Sequence, residues 1–218
     1  MDEATLIRQY QDRIRIFLLL LCFSNEHEDP NFPERKKIFE SEVRIQKLDF
    51  LLRNPDYFAY ELLHYAREND SKRNEIKILI KEIFNSKEPE LRRIEMEKFF
   101  FGAYEDIDDV IAFLKSIDFI DFTSQKDSEL KTVSKKYYIT NYALTKVNHY
   151  SIDKTSLKWY LDRCSHIHKY FGNLSGTQLK AMQYRIDEYR DTKYGEYIGG
   201  ISERVVNKYF ELFGEQLI

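Results

Sequence analysis

Cysteine is nearly absent from this chain: Cys22 and Cys164 are the only two in 218 residues, far apart and both in helical patterns. That excludes a disulfide framework or a zinc cluster and leaves two reduced, buried thiols as the expectation. Turn formers are scarce too, with 7 Gly and 4 Pro, which disfavours a sandwich or barrel and favours helices. There is no excess of basic charge. Lys and Arg total 34 against 37 Asp and Glu, a net charge of −3, whereas a domain whose whole surface grips nucleic acid is usually basic. Long apolar runs are missing as well. Ile16–Phe23 is far short of the ~20 residues that span a bilayer, and the acids and arginines before it do not form a signal peptide. A cytoplasmic protein without a membrane segment is the expectation. There is no glycine-rich phosphate loop, no Gly-x-Ser-x-Gly and no Cys–His pair with a family context. The sequence therefore offers no enzyme motif and no cofactor site.

What is present is helical periodicity. Leu6, Ile7, Tyr10, Ile14, Phe17, Leu18 and Leu21 recur on one face and predict a helix over Thr5–Ser24. The polar stretch from Ser24 to Pro33 reads as a loop. A second helix is expected from Glu34 to Arg53, ended by Asn54-Pro55 because the residue before proline avoids the helical region. Pro55 opens a third helix to Asn69 with Asn54 as its cap, and a fourth covers Ser71–Phe84.

The pattern then changes. Asp106–Ile117 is an amphipathic helix, Phe119–Thr123 alternates as a strand, Ser124–Glu129 is a polar turn and Thr132–Ile139 is a second strand. Thr140 can cap a short helix over Asn141–His149. Helix, strand, turn and strand are the parts of a winged helix, with the two strands as the wing. The last third returns to helices at Asp153–Phe171, Thr177–Tyr189 and Ser202–Phe213, with Thr177 or Ser175 as a cap. The expected fold class is mainly α, a helical protein with a central winged-helix-like β-hairpin segment. Three regions follow: 1–90 helical, 91–150 winged-helix-like and 151–218 helical.

Four constellations invite a functional reading. Asp162 and His166 are four apart and share a helix face, but His168 points away and Cys164 is out of phase, so the set does not match a zinc site. The run Glu105-Asp106-Ile107-Asp108-Asp109 lacks the glycine and alternation of a calcium loop and suits a helix N-terminus. It also opens the helix that would enter the major groove in a DNA-reading winged helix. Five acids (Glu105, Asp106, Asp108, Asp109, Asp118) against Lys115 make that helix unfit to approach phosphates. Candidate nucleic-acid contacts are therefore elsewhere: Lys36, Lys37, Arg44 and Lys47 on the basic face of the second helix, and Lys126, Lys131, Lys135 and Lys136 on the wing. For the helix set, an ordinary solvated face is the favoured reading over a phosphate contact. Finally, the 16 Tyr and 16 Phe include a crowd of tyrosines in the last third. Three helices cannot hide all of them, and Tyr184, Tyr194, Tyr197 and Tyr209 are candidate partner contacts.

Two stretches resemble a known family. One is Arg44-Ile45-Gln46-Lys47-Leu48-Asp49-Phe50-Leu51-Leu52-Arg53-Asn54-Pro55-Asp56-Tyr57. The other is Phe100-Phe101-Gly102-Ala103-Tyr104-Glu105, followed by a helix, a short wing and Tyr138-Ile139-Thr140. Over Glu34–Tyr150 the chain resembles the small middle component of bacterial three-component ABC/SMC-type ATPase systems, including the LmuC-like subunit of Lamassu anti-phage defence. Ala103-Tyr104 replaces that family's Pro-Trp pair, and Glu105 its Asp. The resemblance implies an accessory subunit joining an SMC-like ATPase to an effector, commonly a nuclease, and meeting DNA only through the complex. It carries over no catalytic residue. The competing expectation from the wing alone is a DNA-binding transcriptional regulator.

Overall fold

The computed structural model describes residues 3–100, 102–129, 132–150 and 157–218. In chain order its elements are α1 (Glu3–Phe23), β1 (Asn25–Glu26), β2 (Arg35–Glu40), α2 (Glu42–Arg53), α3 (Pro55–Glu68), α4 (Arg73–Asn85), α5 (Glu88–Leu91), β3 (Lys98–Phe99) and β4 (Gly102–Ala103). They continue with α6 (Asp108–Ser116), β5 (Ile120–Lys126), β6 (Thr132–Thr140), α7 (Asn141–Tyr150), α8 (Lys158–Phe171), α9 (Gly176–Tyr184), α10 (Asp187–Asp191) and α11 (Ser202–Phe213). The protein is mainly α, with 61% of the described residues helical and a small antiparallel sheet. No helix among the described residues is long and apolar enough to cross a membrane.

The chain divides into two compact units, Met1–Gln46 with Asp106–Gly172, and Lys47–Glu105 with Asn173–Ile218. These units do not follow the three consecutive regions read from the sequence. Each is assembled from two separate stretches.

In the first unit, α1 packs on α6 and α8 and buries Ile16 through Leu20 and Phe23. The apolar stripe runs on past that core: Leu6, Ile7, Tyr10 and Ile14 are exposed. The sheet has the order β1-β2-β6-β5. With α1, β2, the start of α2, α6, β5 and β6 in sequence, and β2 pairing to the second wing strand, this is a winged-helix-like arrangement. The second unit's first stretch is inserted between its second and third helices.

The single long helix expected over Glu34–Arg53 is corrected here. Its first part is the strand β2, paired with β6 through Ile38–Tyr138 and Phe39–Tyr137. Ser41, at φ 80°, then turns the chain into α2. Arg35 and Phe39 are buried while Lys36 and Glu40 are exposed, and the four-residue spacing of that buried pair also matches a helix. Arg35 lies between the rings of Phe32 and Tyr138, at 3.8 and 4.4 Å, and donates to Asp121 Oδ2 at 2.5 and 2.9 Å. The expected loop at Ser24–Pro33 contains the short strand β1. Thr140 caps α7 by accepting from the Ala143 amide at 3.1 Å.

In the second unit, α3 packs against α4 and α11. Leu51, Phe58, Leu62, Ile80, Ile83, Val205 and Tyr209 belong to its core. Phe50 meets Tyr57 and Tyr189 edge-on at 4.8 and 5.0 Å. The expected helix over Thr177–Tyr189 is broken at Ile186, whose extended backbone (ψ 120°) separates α9 from α10. Ser175 caps α9 in a reciprocal box with Gln178. Asn54 occupies the N-cap position of α3 without a side-chain capping bond: its side chain donates back to the Phe50 carbonyl at 2.9 Å, and its Oδ1 accepts from Arg93 at 3.3 Å.

Candidate partner-docking surface

The two stretches that carry the family resemblance bond to each other inside the second unit. Lys47 Nζ donates to the Ala103 carbonyl and to the Tyr189 hydroxyl, both at 3.3 Å. The Tyr189 hydroxyl accepts from the Ala103 amide at 2.7 Å. Burial, with Lys180 nearby, pulls the Lys47 ammonium down to about 8. Arg53 donates to the carbonyls of Ile94 and Glu95 at 3.2 and 2.6 Å and pairs with Glu105. Gly102 has φ +97°, and an added Cβ would overlap the Tyr189 hydroxyl and crowd Lys47 Nζ at 2.9 Å. Only glycine fits that turn. Asn54-Pro55-Asp56-Tyr57 in turn anchors the 198–201 segment: Asp56 accepts from the Ile201 amide at 2.6 Å, and Tyr57 donates to the Gly199 carbonyl at 2.9 Å. The motif is a clamp for backbone.

That clamp displays a surface. The Lys98 amide donates to the Glu196 carbonyl, and the Gly195 amide donates to the Lys98 carbonyl, both at 3.0 Å. The Ile198 amide donates to the Met96 carbonyl at 3.0 Å. This ladder holds the β3–β4 hairpin beside the 194–198 loop. Phe99, Phe100, Tyr104, Tyr194 and Tyr197 project from the two segments and are all exposed, Phe100 at 67% and Tyr194 at 61%. Phe100 touches the Tyr194 ring at 4.7 Å, and Phe99 touches Phe100 at 5.6 Å and Tyr104 at 5.9 Å. Contiguous exposed aromatics rarely occur on a surface that meets only water. Rings held by a rigid backbone lose little entropy when covered, so they suit a protein interface.

The structure separates the expected contact residues. Tyr194 and Tyr197 lie on this surface, and Tyr184 is half-buried at its edge, its ring 5.2 Å from Tyr189. Tyr209 does not belong there. It is a core residue at 0% exposure whose hydroxyl donates to Glu215 at 3.0 Å. Phe99, Phe100 and Tyr104 were missed, although the run Phe99-Phe100-Phe101 marks the first two in the sequence.

The expected basic face is dispersed. Lys36 and Lys37 are on β2, Lys37 pairing with Glu26 at 3.0 Å. Lys47, at 1% exposure, is inside the second unit, so it cannot meet a phosphate from the surface. Arg44 donates to the Gly172 carbonyl at 2.5 Å. On the wing, Lys126 is exposed, Lys135 pairs with Glu42 and Asp108 at 2.7 and 3.3 Å, and Lys136 pairs with Glu40 at 3.0 Å. Lys131 lies outside the described residues. On α6, Lys115 in the last turn is tied to Asp121 at 3.1 Å, and the exposed first turn carries Asp109 beside the Lys135-paired Asp108.

No metal-ligating cluster occurs among the described residues. Asp162 pairs with Lys158 at 2.5 Å, and His168 packs on the Phe23 ring at 5.3 Å. The second unit does hold a strongly raised acid in Glu61. Glu61 is buried, and desolvation raises its carboxyl to about 8 despite Arg185 at 3.3 Å. On the same helix, His64 is lowered to about 4 by burial and by the positive charge of Lys208, Arg185, Arg67 and Arg204. No family model matches this chain, and no curated protein or solved structure matches it either.

Proposed function

We propose that this chain is a non-catalytic assembly subunit that docks a partner protein on the aromatic surface of its second unit. The exposed cluster of Phe99, Phe100, Tyr104, Tyr194 and Tyr197 carries this reading. The resemblance to the ABC/SMC-type systems supplies the partner's identity: an SMC-like ATPase in a cytoplasmic anti-phage defence complex, linked through this subunit to an effector, commonly a nuclease. DNA is then met through the complex. Support comes also from the clamp around Lys47, Arg53 and Gly102, which uses the shared motif residues to hold that surface. The test is co-purification of the tagged chain with the system's ATPase, before and after the double substitution Phe100→Ser and Tyr194→Ser. Loss of the complex with unchanged circular dichroism is the expected result. Full retention of the complex overturns the surface assignment, and absence of any complex with the native chain overturns the role.

A DNA-binding regulator is the second reading, favoured by the winged-helix-like strand order β2-β6-β5. The acidic first turn of α6 and the internal pairing of Lys135 and Lys136 oppose it. Salt-sensitive binding to one specific duplex, weakened by Lys126→Ala, would establish it instead.

A further inference from the structure

The chain's two cysteines meet. Cys22 sits near the end of α1 and Cys164 on α8, and these helices pack along each other in the first unit. The two thiols share a hydrogen bond. Cys164 is fully buried and Cys22 half-buried, so solvent reaches the pair from the Cys22 side. Ile167 and Phe171 of α8 are buried beside Cys164, and the Phe23–His168 ring contact at 5.3 Å adds a second tie between the two helices. The chain therefore presents one attackable thiol backed by a second thiol in contact, the layout of a nucleophilic and a resolving cysteine.

We propose that Cys22 and Cys164 form an oxidisable dithiol site that peroxide closes into an intramolecular disulfide joining α1 to α8. The Cys22 thiolate attacks one peroxide oxygen. An S–O bond forms, the O–O bond breaks, and the departing hydroxide takes a proton and leaves as water. The Cys164 sulfur then attacks the Cys22 sulfenic acid. The S–S bond forms, the S–O bond breaks, and the second hydroxide leaves as water with the Cys164 proton. Two thiols give up two electrons and one hydrogen peroxide becomes two waters. Two features favour Cys22 as the attacking group: its accessibility, and a thiol pKa held below the ordinary value by the Cys164 hydrogen bond and the Lys37 charge against the opposing effect of burial.

The experiment treats the full chain with hydrogen peroxide, unfolds it in excess iodoacetamide and weighs it. The expected product has lost two hydrogens, takes up no alkyl groups, runs as a monomer on a non-reducing gel and regains both alkylation sites after dithiothreitol. Cys164→Ala should stop at a sulfenic acid on Cys22 that dimedone traps. Cys22→Ser should slow the oxidation of Cys164 by at least tenfold. Two alkylatable thiols after peroxide overturn the proposal, as does a disulfide-linked dimer or direct conversion of Cys22 to a sulfinic acid in the unsubstituted chain. The mass measurement on the native sequence needs no variant to fold.

Discussion

In the first unit the charges of the wing are paired at or near the surface, and the buried charged residues, Arg15, Arg35 and Arg163, are all of one sign. Lys135 reaches Glu42 and Asp108, Lys136 reaches Glu40, and Arg35 reaches Asp121 from between two rings. The second unit buries charge of both signs. Lys47, Asp49, Arg53, Asp56 and Glu61 are all buried, while Phe99, Phe100, Tyr194 and Tyr197 face outward. Burying an ion costs several kcal/mol unless its hydrogen bonds are replaced. The second unit carries that cost in return for fixing two backbone segments at atomic precision, and those segments present the exposed rings. A solvated wing and a polar-cored clamp thus divide one chain between a surface in balance with water and a surface suited to another protein.

The contrast can be broken at its buried charges. The largest effect is expected at Glu61. Its folded carboxyl titrates at about 8 against an ordinary 4.5, so between those values the folded state holds the extra proton. Stability from this group therefore falls as pH rises through that window. Glu61→Gln should match the parent near pH 5 and exceed it near pH 9 by about 4 kcal/mol in urea unfolding; equal midpoints at both pH values would refute the burial argument. Lys47 runs the other way. Folded, it loses its proton at about 8 rather than 10.5, so the unfolded state binds more protons in between and stability rises with pH. Lys47→Met should flatten that rise, worth about 3 kcal/mol, as followed by midpoints at pH 7.5 and 10. Gly102→Ala should cost about 2 kcal/mol or more through its positive φ and the overlap with Tyr189. Hydrogen exchange should localise the loss to Lys98, Ala103 and Ile198 amides. The smallest effect on stability belongs to Phe100→Ser with Tyr194→Ser, within about 0.5 kcal/mol. A large destabilisation there would mean that the rings support the fold.

Where local chemistry decided the outcome, the sequence was sufficient. The wing strands, the Thr140 cap and α11 over Ser202–Phe213 follow from alternation, a hydroxyl before a helix and an apolar stripe. Where distant partners decided it, pattern failed. Arg35–Glu40 contains residues with helical spacing and becomes a strand because β6 offers it an edge. Lys47 reads as surface charge because its acceptors, Ala103 and Tyr189, are far away in the chain. Tyr209 and Tyr194 are indistinguishable by composition, yet one is core and the other is exposed.

The interleaving of the two units also sets a timetable during synthesis. The buried apolar residues of α1, Ile16 through Leu20 and Phe23, are made well before their helical partners: α6 begins only at Asp108 and α8 at Lys158. At about 5–20 residues per second, that apolar helix must wait on the order of several seconds to tens of seconds for its first-unit partners. The second unit is completed later still, since α11 supplies part of its core. Slow elongation or truncation downstream should therefore expose α1 first, making it the segment that a ribosome-associated chaperone has most reason to hold.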